Sequence, residues 1–132
     1  QTLKTELSKV RIALDFYQVD HGWYPCTSQD WNVAGDPDVF VRQLTEYTSA
    51  SGWPSPIPSD VFKYVPYLKT WPTEPFSKNA TVTVDITNER YLAVLGKAIA
   101  DSGAMGGWYY EAKSGNFCAN LGWQYSPEYA KY

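Results

Sequence analysis

The single histidine of the chain, His21, stands in the stretch DFYQVDHGWYPC (15–26), with Asp20 before it and Cys26 five residues on. A base steered by a carboxylate, beside a thiol, is the make-up of a nucleophilic site. Adjacent side chains on a helix, however, point about 100° apart, which suits an Asp–His pair poorly. A second reading accounts for each position. His21 falls in a last helical turn, where a donor or cation suits the negative end. Gly22 suits the cap, and Pro25 forbids continuation. The stretch is expected to be a helix stop with no catalytic residue.

The remaining candidates for chemistry are scattered. The acidic residues form no pair suited to a hydrolase. Asp36-Pro37-Asp38 lacks the rest of a calcium loop and reads as a helix start. Asp85, Asn88, Glu89 and Asp101 sit near loops that could hold calcium, yet no metal site is expected. Gly103, Gly106 and Gly107 make no phosphate-binding motif and read as a turn or a flexible stretch. Asn79-Ala80-Thr81 matches the glycosylation sequon, a short and weak signal. Cys26 and Cys118 lack metal or redox spacing. A bond between them would close a loop of about 90 residues and stabilise by ~4–5 kcal/mol. Two unpaired buried thiols are the alternative.

The elements follow from periodicity. Leu3, Leu7, Val10, Leu14 and Tyr17 recur at helical spacing, and Ile12, Phe16 and Val19 widen that stripe. They predict a helix over 1–20. Asp36 as cap and Pro37 at the first turn predict a second helix over 37–48. Residues 49–60 are rich in Ser, Gly and Pro and read as loop. The irregular stretch that follows must be pinned by its aromatics. TVTVDI (81–86) alternates as a strand, and RYLAVLG (90–96) reads as a more apolar one. WYYEA and NFCAN around Lys113-Ser114-Gly115 predict a hairpin. The expected architecture is α+β in one domain, 1–132. A long helix covers a small antiparallel sheet (81–120), with a loop-rich middle (21–80) and a tail (121–132).

Composition narrows the function. The chain has 132 residues, 44% of them hydrophobic and 17% aromatic, which fits one folded domain. Net charge is −3 and there is no run of Lys or Arg, so nucleic acid is not expected as main partner. No apolar run reaches the roughly 18–20 residues of a membrane span, and no leader is visible. The first residues, QTLKTELSKVRIALDFYQ, are already helix-like and carry no initiating Met, which fits a piece of a longer chain. Six Trp are spread along the sequence. Trp31, Trp53 and Trp123 are the candidates for an exposed ligand or interface surface.

Three stretches carry a resemblance. LSKVRIALDFYQVDHGWYPC, VPYLKTWPTEPFSKNATVTV and GGWYYEAKSGNFCAN are similar, in order and spacing, to the helix exit, the Pro-rich middle and the closing hairpin of type IV pilins and type II secretion pseudopilins. The resemblance implies a pilin-like fold and a structural role without catalysis or cofactor. The partners would be further pilin subunits in a homo-oligomeric filament. An apolar helix half, missing from this sequence, would anchor the precursor in the bacterial inner membrane. The face of Leu3, Leu7, Val10, Leu14 and Tyr17 would serve filament and core. A periplasmic or extracellular address would favour a Cys26–Cys118 disulfide. Secretion pseudopilins carry calcium in an Asp-rich loop before the last strand. That loop is DSGAMGG here, with Asp101 its one acid, which argues against calcium and for the pilin side. No small-molecule substrate is implied. The other reading from this resemblance is a minor pilin or adhesin that binds a glycan, a surface or DNA through exposed aromatics.

Overall fold

The apolar repeat at the start of the chain folds as expected, but the helix is apolar on two sides. The computed structural model describes residues 2–26 and 35–122, and in it α1 spans Thr2–His21. Leu3, Leu7, Val10, Leu14 and Tyr17 are at most 2% exposed and form the main core. Each such side chain contributes roughly 1.5–3 kcal/mol by burial. Ile12, Phe16 and Val19 do not widen this stripe. At 100° per residue they fall on the opposite side of the helix, and they are 55%, 60% and 75% exposed. Gly22 ends the helix with φ +88°, its N–H donating to Gln18 O at 2.9 Å.

Helix α2 (Pro37–Thr45) starts where expected, with Asp36 Oδ1 accepting from the Asp38 and Val39 N–H groups. It stops three residues early. Tyr47–Thr48 instead form β1, antiparallel to β2 (Pro54–Ser55), and Thr48 also bridges Tyr64. The middle of the chain is pinned as its aromatics require. The N–H groups of Tyr67 and Leu68 both donate to Leu44 O at 2.9 Å. Trp71 meets the Phe40 ring edge-on and donates from Nε1 to Ala80 O.

The last third corrects two expectations. Strand β3 (Val82–Asp85) is as predicted, but RYLAVLG is not a strand. Its residues enter α3 (Leu92–Asp101), which buries Leu95, Gly96, Ile99 and Ala100. A short apolar run fits either element by pattern alone. The helix matters for topology. It is the crossover that lets β3 pair parallel to β4 (Met105–Glu111). Strand β5 (Asn116–Leu121) then pairs antiparallel to β4 through the predicted hairpin, giving the order β3-β4-β5. The sheet is therefore mixed, not antiparallel. Gly106 and Gly107, read as turn or flexible residues, lie in a β4 bulge where Gly107 N–H donates to Ser77 Oγ.

Both faces of the sheet are used. Val82, Trp108, Tyr110, Phe117, Ala119 and Leu121 meet α1. Cys118 and Tyr109 point the other way and pack against Leu95 and Ile99 of α3. Arg11 reaches from α1 to the β5 backbone, donating from Nε and Nη2 to Phe117 O at 3.0 and 2.8 Å. These alternating faces overturn the expected disulfide. Cys26 belongs to the core beneath α1, and its thiol donates to Asp36 O at 3.3 Å. Cys118 belongs to the α3 side. Both are free, buried thiols. Burial pushes the Cys118 thiol up to about 11, so it stays protonated and unreactive.

Candidate functional site

The residues around His21 do not assemble into a catalytic cluster. The imidazole is 6% exposed. Its Nδ1 lies 3.1 Å from Tyr17 O, and its Nε2 lies 3.0 Å from Thr48 Oγ1 and 3.1 Å from Ser49 O. The ring stacks on Tyr17 at 3.8 Å and meets Tyr64 at 4.6 Å. Asp20 does not bond it directly; that carboxylate accepts from Tyr67 OH at 2.7 Å, and the same hydroxyl lies 3.5 Å from His21 Nδ1. Burial, then the hydrogen bond to Asp20 and its charge, hold the Tyr67 phenol well above its ordinary value. His21 thus ties the end of α1 to β1 and to the following loop. This is the helix-terminal role expected of it, executed in the interior.

The proposed filament face divides. Leu3, Leu7, Val10, Leu14 and Tyr17 are consumed by the core, so they offer nothing to a partner. The side of α1 open to contact is Ile12, Phe16 and Val19. Of the three tryptophans singled out, Trp53 is half-buried with its backbone N–H donating to Ser49 Oγ. Trp31 and Trp123 lie outside the described residues. No aromatic platform from these three is therefore on view.

A polar network on the far face of the sheet was not anticipated from sequence. Glu111 is 0% exposed and is bonded by Arg90 through both Nε (2.8 Å) and backbone N–H (2.7 Å). Arg90 Nη2 also donates to Asp85 Oδ2 at 3.1 Å, and Tyr109 OH donates to the same oxygen at 2.9 Å. Asn116 Nδ2 donates to Arg90 O, and Ser114 Oγ donates to Glu111 Oε1. Burial alone would raise the Asp85 carboxyl. Donors from Asn88, Thr87 and Tyr109 overcome it and hold the group well below the usual range. Glu111 follows the same logic: burial raises it, and Arg90 and Ser114 carry it lower. Both acids are ionised at neutral pH, so neither can act as a proton donor. The one signal in the sequence was alternation. Asp85 and Glu111 occupy the strand positions opposite to the core set and share a register pair.

Asp101, expected in the loop before β4, is instead the last residue of α3 and is paired with Lys97 one turn back. Among the described residues no group of three or more His, Cys, Asp or Glu could hold a metal ion. No described helix is long and apolar enough to cross a membrane. Comparison with known proteins finds no matching family model, no curated relative and no similar solved structure. The chain's own geometry must therefore carry the functional reading.

Proposed function

We propose that the chain is a structural subunit of a filament of the type IV pilus or type II secretion kind, acting by assembly and not by catalysis. The observation that carries this reading is the second apolar stripe of α1. A helix that only covers a sheet needs one apolar face. This helix has two, and the outer one, Ile12, Phe16 and Val19, is exposed. The resemblance of the helix exit, the Pro-rich middle and the closing hairpin to pilin sequences supports the same reading. Other pilin subunits are then the partners, with the outer stripe turned toward them. An upstream apolar helix half anchors the precursor in the inner membrane, and the mature subunit lies in an extracellular pilus or a periplasmic filament.

The test is Phe16→Asp introduced into the gene in its native host. Filaments counted by electron microscopy are expected to disappear, while the isolated domain with this change keeps its melting temperature. Filaments of normal number and length in the variant would sink the reading. So would absence of the chain from purified filaments by mass spectrometry. The domain alone is expected to sediment as a monomer. A stable dimer burying more than about 1,000 Å² would point to a different assembly.

A further inference from the structure

Two depressions open on the α3 side of the sheet, and Arg90 lines both. The inner one, about 220 Å³, is bounded by Arg90, Tyr109 and Asn120 with Ala98 and Ile99 of α3 and its C-cap Ser102. The outer one, about 540 Å³, is bounded by Glu89, Arg90, Tyr91 and Val94. Val94 and Ala98 are one helical turn apart, so both depressions open along α3.

Ligand sites combine apolar walls with a few placed polar groups, and the inner depression has that make-up. Ala98 and Ile99 supply the wall. Arg90 is held rigidly, Nε by Glu111 and Nη2 by Asp85. Its Nη1 has no partner among the described residues. The half-buried side-chain amide of Asn120 has none either. Ser102 Oγ donates to Ile99 O and keeps its lone pairs for an incoming donor. These groups are pre-positioned and open to solvent, where a polar ligand can bond them in place of water.

Charge selects the ligand class. Arg90 is already matched by the ionised Asp85 and Glu111, and Glu89 adds an acid at the rim. The locality is net negative and repels an anion. Donors (Arg90, Asn120) and acceptors (Asn120, Ser102, Glu89) are interspersed, which matches hydroxyls that both donate and accept. Tyr91, 85% exposed, lines the outer depression beside Arg90 and offers a ring face for stacking. We propose that this face of the sheet binds a neutral sugar, with Arg90 and Asn120 bonding its hydroxyls and Tyr91 lying against its ring. The site is separate from the outer stripe of α1 and does not rest on the filament reading.

The experiment follows backbone amide NMR signals of the 132-residue chain during titration with methyl glycosides of glucose, galactose and N-acetylglucosamine. N-Acetylneuraminic acid serves as the anionic control. Saturable shifts at Ala98, Ser102, Tyr109 and Asn120 are expected with at least one neutral glycoside. Asn120→Ala and Tyr91→Ala should each weaken that binding about fivefold or more, as for one lost hydrogen bond or stacking contact, without changing the melting temperature. If Asn120→Ala fails to fold, the Tyr91→Ala result decides. Any of four outcomes overturns the proposal: no saturable shift with the neutral glycosides, shifts confined to other residues, equal or tighter binding of the anion, or affinity untouched by substitution.

Discussion

The ring of Tyr24 lies directly over the backbone of Gly115. A Cβ at Gly115 would stand 2.5 Å from Tyr24 Cζ, and Gly115 itself holds φ +79° in the hairpin turn. At the next residue after Tyr24, Pro25 O accepts from Tyr110 OH at 2.7 Å. The helix exit is thus joined to the closing hairpin by packing and a hydrogen bond, where a disulfide was expected. Gly115→Ala should cost roughly 2–4 kcal/mol, combining a left-handed backbone with overpacking. In a Tyr24→Ala background the same change should cost at least 1 kcal/mol less, about the size of a coupling between touching residues. Urea denaturation of the four-member cycle measures it, and additive costs would show that the ring contact is not what constrains Gly115.

The thiols provide a second check. Cys26 and Cys118 are free and on opposite sides of the sheet. Protein purified without reductant, then unfolded and alkylated, should take up label at both cysteines. Adding dithiothreitol should leave the melting temperature where it was. A mass lighter by two hydrogen atoms with no label incorporated would establish the bond that the structure lacks.

Glu111 and Arg90 form a pair in which the acid has no access to water. Removing one partner of a fully buried pair typically costs about 3–5 kcal/mol, but Arg90 keeps Asp85 and is partly exposed after Glu111 is lost. Glu111→Ala is therefore expected to cost about 2–3 kcal/mol by chemical denaturation. A loss under about 1 kcal/mol, the size of an exposed pair, would mean that the network is wet.

The same acids set the response to pH. Asp85 and Glu111 are both ionised more readily when folded, so their stabilisation is present above the unfolded carboxyl values, near 4. It is lost as pH falls through the lower folded values. Melting temperature should therefore decline as pH drops below about 4. Asp85→Asn should be less stable at neutral pH yet show a shallower acid slope. Parallel slopes in calorimetry of the two proteins would assign the acid loss to other groups.

Leu14 and Phe16 separate core from outer surface on one helix, being 1% and 60% exposed. Leu14→Ala should cost about 2–5 kcal/mol. Phe16→Ala should stay within about 0.5 kcal/mol, as for surface positions. A comparable loss at Phe16 in thermal melts would place that ring in the domain's own core.

Local signals made much of this legible. The stop after α1, the Asp36 cap and the hairpin at Lys113-Ser114-Gly115 each depend on a few neighbouring residues. Helical arithmetic alone also puts Ile12, Phe16 and Val19 opposite Leu14, and reading them as a wider stripe missed the outer face. What depended on distant pairing was harder. Nothing local says that LAVLGKAIA crosses over between parallel strands, or that Cys26 and Cys118 face apart. The clamp between Arg90 and Glu111 joins residues 21 apart, and it could be glimpsed only as two acids on the outward positions of strands.

Arg11 bonds Phe117 O across 106 residues of sequence, and the rest of α1 also packs against the last strand. Closing so long a span is entropically slow, and it must precede the contacts that reward it. A chain delivered from its N-terminus therefore carries Leu3, Leu7, Val10, Leu14 and Tyr17 uncovered until β5 has emerged. During that interval both sides of the helix are apolar and open. Folding of this domain is in effect a timing problem, in which α1 must be kept from the wrong neighbours until β5 arrives.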